Sequence, residues 1–400
     1  MQRFGGRKAL RGAAVVAVFA MVLAACGSDN GGGGGTTTAG GSTSGGGTTS
    51  GGATSGGGTT SGGATSGGGA SKNADNLWYM VTDQAGLGDK GFNDLAYAGV
   101  QQAATELGGT AKVIESTEQA QYVPNLEQAV ASGATMTTGV GFLIADAMHQ
   151  VASEHPDSKF VLIDAVSADN NGTPDDFTDD IPDANVQSVQ FKENEGAYLA
   201  GIIAGMTSKT HHYGFVGGLE IPPVVRFLVG FQAALKTVDP QAKVDVTYVG
   251  SFSDPAKTKE VTTGYYDSGA DIVFEVAGAG GLGAYAAAKE KGPGVWVMGT
   301  DTCKNQLAPD EYLTSATKDV QGSVFKAEQE VANGTFKGGV VTYGLAEDGV
   351  GVCDKTFGDL PQNIQDAVNS YSDQIKSGAI TVPSTPDELA SFTPPPPPSS

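Results

Sequence analysis

Two successive sets of alternating strand-like and helix-like stretches constrain this chain's fold more than any other feature. From Leu77, short apolar β-rich runs at 77–82, 111–115, 135–140 and 159–164 are separated by helical stretches at 92–107, 121–132 and 143–154. A second set has runs at 212–217, 244–250, 271–276 and 295–299, with helical stretches at 193–208, 223–236, 256–268 and 281–291. Alternation at this spacing predicts an α/β protein of two similar lobes, each a parallel sheet flanked by helices. The segment 186–191 is the candidate crossing between them. A strand-like run at 313–317 and a helix at 319–332 return the chain toward the first lobe. The expected division is 77–191 plus 319–338 for the first lobe and 192–318 plus 339–392 for the second.

The ends of the 400-residue chain do not fit this pattern. Residues 1–25 read as a signal peptide: Arg3, Arg7, Lys8 and Arg11 precede an apolar stretch of about fourteen residues, too short to span a bilayer comfortably. It ends Leu23-Ala24-Ala25-Cys26, which resembles the bacterial lipobox, so Cys26 is the expected lipidation site. Cleavage after Ala25 without lipidation is the alternative. Acyl chains contribute about 0.8 kcal/mol per buried methylene, so two or more anchor stably. Residues 26–76 form a Gly/Ser/Thr linker with a repeated unit, too poor in apolar side chains to offset its ordering entropy. As a coil of about 50 residues it reaches roughly 40 Å. Residues 393–400 are a proline-rich tail.

Charge narrows the partners. There are 44 acidic against 23 basic residues, a formal net charge of −21. Such a field repels phosphate backbones and argues against a nucleic-acid partner. Only three cysteines are present, none in a zinc-site spacing. Cys303 and Cys353 would close a loop of about 50 residues outside the cytoplasm, where a disulfide persists. The four histidines (His149, His155, His211, His212) have no obvious nucleophile partner. No nucleophile elbow occurs in the folded part. The Asp-rich segment 169–183 misses the EF-hand order and reads as a solvated insertion loop. No metal or cofactor is expected.

Ligands of open α/β sheets sit beyond the carboxyl ends of the strands, which focuses attention on the residues there. After the first strand comes Thr82-Asp83-Gln84-Ala85-Gly86-Leu87-Gly88-Asp89-Lys90-Gly91-Phe92-Asn93; the third is followed by Gly141-Phe142, and the fourth ends at Asp164. The second set ends in Gly217-Gly218, Gly250-Ser251-Phe252-Ser253-Asp254, Gly278-Ala279-Gly280-Gly281 and Gly299-Thr300-Asp301. The run 278–283 satisfies the G-x-G-x-x-G fingerprint, with Asp301 downstream. It lies too late in the chain for a first-strand dinucleotide turn, so its glycines are read as letting the backbone approach a ligand.

Together with Phe191-Lys192 and Glu195-Gly196-Ala197-Tyr198-Leu199-Ala200-Gly201, these strand ends resemble the basic membrane protein (BMP) family, the PnrA-like substrate-binding lipoproteins of ABC transporters. The resemblance runs from about Leu77 to Val341. It implies a two-lobed periplasmic-binding-protein type I fold joined by a multi-crossing hinge, and a non-enzymatic receptor that captures a nucleoside-like solute, a purine nucleoside first. An ABC permease and its ATPase subunit would be the partners of a monomer held at the membrane by its lipid. By the same resemblance Phe92 and Phe252 sandwich the base, Asn93 and Asp164 read its edge, and Asp83, Gly278, Asp301 and Lys318 hold the sugar. Phe142 and Phe227 are read as packing residues. A ligand sensor without transport and an exported nucleoside-processing enzyme are the rival functions.

Overall fold

The computed structural model describes residues 73–170 and 180–396. The leader, Cys26, most of the linker, most of the Asp-rich loop and the last four residues lie outside that range.

In the first half, strands β1 (Leu77–Val81), β2 (Thr110–Ile114), β3 (Met136–Val140) and β4 (Phe160–Ile163) alternate with helices α1 (Phe92–Glu106), α2 (Tyr122–Ala131) and α3 (Ala145–Glu154). A two-residue hairpin, β5 (Ala168–Asp169) and β6 (Ile181–Pro182), flanks the Asp-rich loop, and β7 (Val186–Phe191) follows. Then come α4 (Glu193–Thr207), β8 (His212–Gly217), α5 (Pro222–Val238), β9 (Lys243–Tyr248), α6 (Pro255–Asp267), β10 (Ile272–Val276), α7 (Leu282–Lys291), β11 (Trp296–Asp301) and β12 (Tyr312–Lys318). The chain finishes with α8 (Val320–Ala332), β13 (Gly339–Tyr343), β14 (Val350–Val352), α9 (Asp354–Phe357), α10 (Gln362–Lys376) and α11 (Pro386–Ser391).

These strands build two six-stranded sheets, β13-β7-β4-β3-β1-β2 and β14-β12-β11-β10-β8-β9. The order β4-β3-β1-β2 in one reappears as β11-β10-β8-β9 in the other, so the two alternating sets do form two like lobes. All pairings are parallel except β12 with β14 and the small hairpin. Burial follows position in the sheet. Central strands β3, β4, β8 and β10 are buried at every residue, as a strand covered by helices on both faces must be. Edge strands β2 and β13 alternate exposed and covered positions.

Two expectations need correction. The segment 186–191 is a full strand of the first sheet, between β13 and β4, and the crossing lies just after it. Residues 339–343, assigned to the second lobe, pair as β13 with β7 and belong to the first sheet. The chain therefore passes between lobes three times: after Phe191, between Lys318 and Asp319, and after Tyr343.

Helix packing fixes the lobes. In the second lobe α4 lies against α5 so closely that a Cβ at Gly201 or Gly230 would overlap Ala234 or the Asn194 backbone. On its other side α4 meets α10, whose Ile364, Val368, Tyr371 and Ile375 form one apolar stripe at helical spacing. In the first lobe α8 returns to pack on α1. Cys303 and Cys353 are disulfide-bonded, tying the loop after β11 to the turn before α9. Among the described residues no helix is long and apolar enough to cross a membrane.

Candidate functional site

A cleft between the carboxyl ends of the two sheets holds about 610 Å³ of atom-free space including its mouth. All eight residues expected to contact a ligand line it: Asp83, Phe92, Asn93 and Asp164 from the first lobe, Phe252, Gly278, Asp301 and Lys318 from the second. Phe142 and Phe227, read as packing residues, do pack on the cores of their lobes, and both also border the cleft. The Phe227 ring meets Phe274 edge-on at 6.1 Å.

The backbone at the strand ends is unusual in a matched way. Asp164 just after β4 and Asp301 at the end of β11, equivalent places in the two lobes, have φ of 70° and 68°. Non-glycine residues enter this left-handed region at an energetic cost, and such residues cluster at ligand sites. Gly141 after β3 and Gly278 after β10 form a second matched pair, with φ of 97° and 56°. Gly278 also lies where a Cβ would come within 3.4 Å of Phe252. The later glycines of the run serve packing instead: a Cβ at Gly280 or Gly283 would press on the start of α6. The run therefore seats the Phe252 loop and the α6–α7 contact, and only Gly278 among its glycines faces the cleft.

The Asp83–Asn93 segment is organised by its own side chains. Asp89 accepts from the backbone N–H groups of Gly91 (3.0 Å), Asn93 (2.8 Å) and Asp94 (3.2 Å), closing the otherwise open amino end of α1. Asn93, expected to read a base edge, directs its amide inward. Its Nδ2 donates to Asp83 (2.8 Å) and Asp89 (3.2 Å), and its Oδ1 accepts from the Asp83 N–H (3.3 Å). Its clear effect is to aim the Asp83 carboxylate. Burial lifts that carboxyl to a pKa of about 6 against the hydrogen bonds from Asn93 and Ala85, and the charges of Asp89 and Asp301 add to the rise.

A buried charge cluster forms the floor. Lys318 Nζ donates to Asp164 Oδ2 at 2.5 Å and stands 3.6 Å from Glu193 and 3.9 Å from Asp301. The rings of Phe92, Phe191 and Phe227 surround the same ammonium at 4.7, 5.2 and 5.7 Å. Burial alone would lower the Lys318 pKa; the three carboxylates outweigh it and hold the value above that of a free lysine. Asp164 is pushed up to about 6, by burial first and then by Glu193 and Asp301, against the pull of Lys318. A second buried pair, Lys304 on Glu275 at 3.0 Å, lies alongside, and Tyr285 donates to the same carboxylate at 3.1 Å.

Acceptor capacity is left open. Asp164 Oδ1 is buried with no hydrogen-bond partner. The Asp301 carboxylate, only 7% exposed, accepts no hydrogen bond from the described residues. A buried acceptor without a donor costs about 1–3 kcal/mol, so the cleft is arranged for a guest that donates. Sequence reasoning missed Glu193, Arg226, Glu275 and Lys304. Arg226 and Glu275 each carry one signal, a charge inside an otherwise apolar run; Glu193 and Lys304 lie among polar neighbours and carry none.

Comparison with known proteins shows the family and the fold. A family model described as "ABC transporter substrate-binding protein PnrA-like" matches residues 77–385. The ABC transporter nucleoside-binding protein BmpA of Lactococcus lactis is 34% identical over 325 residues, covering 76% of this chain and 88% of that one. Basic membrane protein A of Borreliella burgdorferi is 33% identical over 307 residues, covering 76% and 87%. An ABC transporter solute-binding protein from Aeropyrum pernix superposes with a TM-score of 0.69 at 27% identity, covering 79% of this chain and 96% of that one. AraP, an arabinose-binding protein from Geobacillus stearothermophilus, matches with a TM-score of 0.51 at 15% identity, covering 74% and 99%; it is similar in fold alone.

Proposed function

The chain belongs to the PnrA-like family of ABC transporter substrate-binding proteins, and from that premise we propose that its solute is a nucleoside, with purine nucleosides preferred. The reading is carried by two buried carboxylates, Asp164 with an oxygen that has no hydrogen-bond partner and Asp301 with only Lys318 at 3.9 Å, in a cleft that also presents Phe92 and Phe252. A nucleoside supplies what they lack: vicinal ribose hydroxyls and base N–H groups that donate, and a flat base that aromatic faces cover. Asp301, Asp83, Gly278 and Lys318 hold the sugar, Asp164 takes a base donor, and Asn93 acts through Asp83. Closure about the three crossings buries the ligand.

The same carboxylates define what is refused. Asp83, Asp89, Asp164 and Asp301 line the cleft against the single ammonium of Lys318. A nucleoside monophosphate would add anionic oxygens to that field. We place the protein outside the cell membrane, monomeric and held by a diacylglyceryl group on Cys26, from which it delivers its ligand to a permease driven by a separate ATPase. Isothermal titration of a nucleoside and nucleotide panel into protein unfolded and refolded to strip bound solute tests the assignment. Binding heat from purine nucleosides and none from their monophosphates is expected; no heat from any nucleoside overturns it.

A further inference from the structure

Glu193 and Arg226 stand behind the cleft; neither lines it. Glu193 opens α4 two residues past the end of β7, at the first crossing between lobes. Its fully buried carboxylate accepts from Arg226 Nε at 2.6 Å and Nη2 at 3.4 Å and lies 3.6 Å from Lys318 Nζ. Lys318 ends β12 at the second crossing. One carboxylate is thus shared by two cations, while one ammonium is shared by three carboxylates.

Where Lys318 settles in that set decides what the cleft offers. Moved forward, it would donate to Asp301, now 3.9 Å away, and occupy an oxygen that a ligand hydroxyl needs. Moved back, it would bond to Glu193 and leave Asp164 without its close cation. Arg226 holds Glu193 from behind and so limits its pull on Lys318. Buried ion pairs are costly to break on one side, which makes each member's removal consequential.

We propose that Glu193 and Arg226 are positioning residues with opposed effects: Glu193 holds Lys318 clear of Asp301, Arg226 keeps it from withdrawing from Asp164, and the balance sets the cleft's preference for a ligand bearing two vicinal hydroxyls. This rests on the nucleoside reading above. The test titrates whichever of adenosine, guanosine and inosine the parent binds most tightly, and its 2′,3′-dideoxy analogue, into refolded parent, Glu193→Gln and Arg226→Met, with Tm measured for each. Glu193→Gln should lose about tenfold or more for the ribonucleoside, the worth of a hydrogen bond to a charged group, and much less for the dideoxy analogue. Arg226→Met should instead raise the pH below which binding fails, since Lys318 withdraws from Asp164. The groups facing Asp164 in that titration are Lys318, Glu193, Asp301 and Arg226. Should Glu193→Gln not fold, Arg226→Met decides by its pH profile. Equal losses for both ligands in Glu193→Gln, or an unmoved pH profile in Arg226→Met, overturn the proposal. A parent that binds none of the three nucleosides refutes the nucleoside reading instead.

Discussion

At the scale of single residues, the cleft is defined by what its side chains have not yet bonded to. Asp301 is held in a left-handed conformation, its carboxylate 3.9 Å from Lys318, and replacing it by alanine would add backbone strain to the loss of an acceptor. Asp301→Asn is the cleaner probe, because asparagine tolerates that region. Its nucleoside affinity should fall about tenfold or more, as a charged acceptor becomes a neutral one. Phe92→Ala and Phe252→Ala should each cost on the order of 1–3 kcal/mol in binding, the worth of one aromatic face against a base. Both are measurable by calorimetric titration. Asp83 and Asp164 carry pKa values of about 6, raised mainly by burial. As pH falls through 6 they take up protons and become neutral, weaker acceptors for the ligand. Affinity should therefore be steady above about pH 7 and decline below 6; a profile flat from pH 8 to 5 would contradict these assignments.

At the scale of elements, strand ends collect the site and helices hold it. Seven of the eight cleft residues lie in the strand-end runs that parallel topology brings to one crevice, but choosing them among their neighbours, and Lys318 altogether, rests on the family resemblance. The supporting charges were not legible. Glu193 and Arg226 are 33 residues apart and Glu275 and Lys304 are 29 apart, and nothing local marks one as the other's partner. Strand β13 was assigned to the wrong lobe for a related reason: a five-residue β-rich run does not say which sheet edge it joins. Helix α8 carries one element-scale oddity. Glu328 is completely buried on it, both carboxylate oxygens lack partners, and burial pushes its pKa well above the usual carboxylate range. A group raised in the folded state contributes stability that is complete below its unfolded pKa and is lost as pH climbs toward the folded value. Glu328→Gln should thus leave Tm at pH 4 nearly unchanged and raise it relative to the parent at pH 7 to 8. A parallel pair of Tm–pH curves would contradict that account.

At the scale of the whole molecule, the two like lobes meet at a floor of buried charge next to the crossings on which they would move. The Asp164–Lys318 bond joins the first sheet's end to the second's, so the site and the hinge share atoms. Any ligand that engages Asp164 and Asp301 together must touch both lobes. The fold alone could host many solutes, as its likeness to an arabinose-binding protein illustrates; side chains at the strand ends decide which one. The most direct measurement is a crystal structure of the stripped, refolded protein grown with a purine nucleoside. We expect the base between Phe92 and Phe252 and the ribose hydroxyls on Asp301, with contacts from both lobes. A nucleoside bound to one lobe only, or lying outside this cleft, would contradict the account.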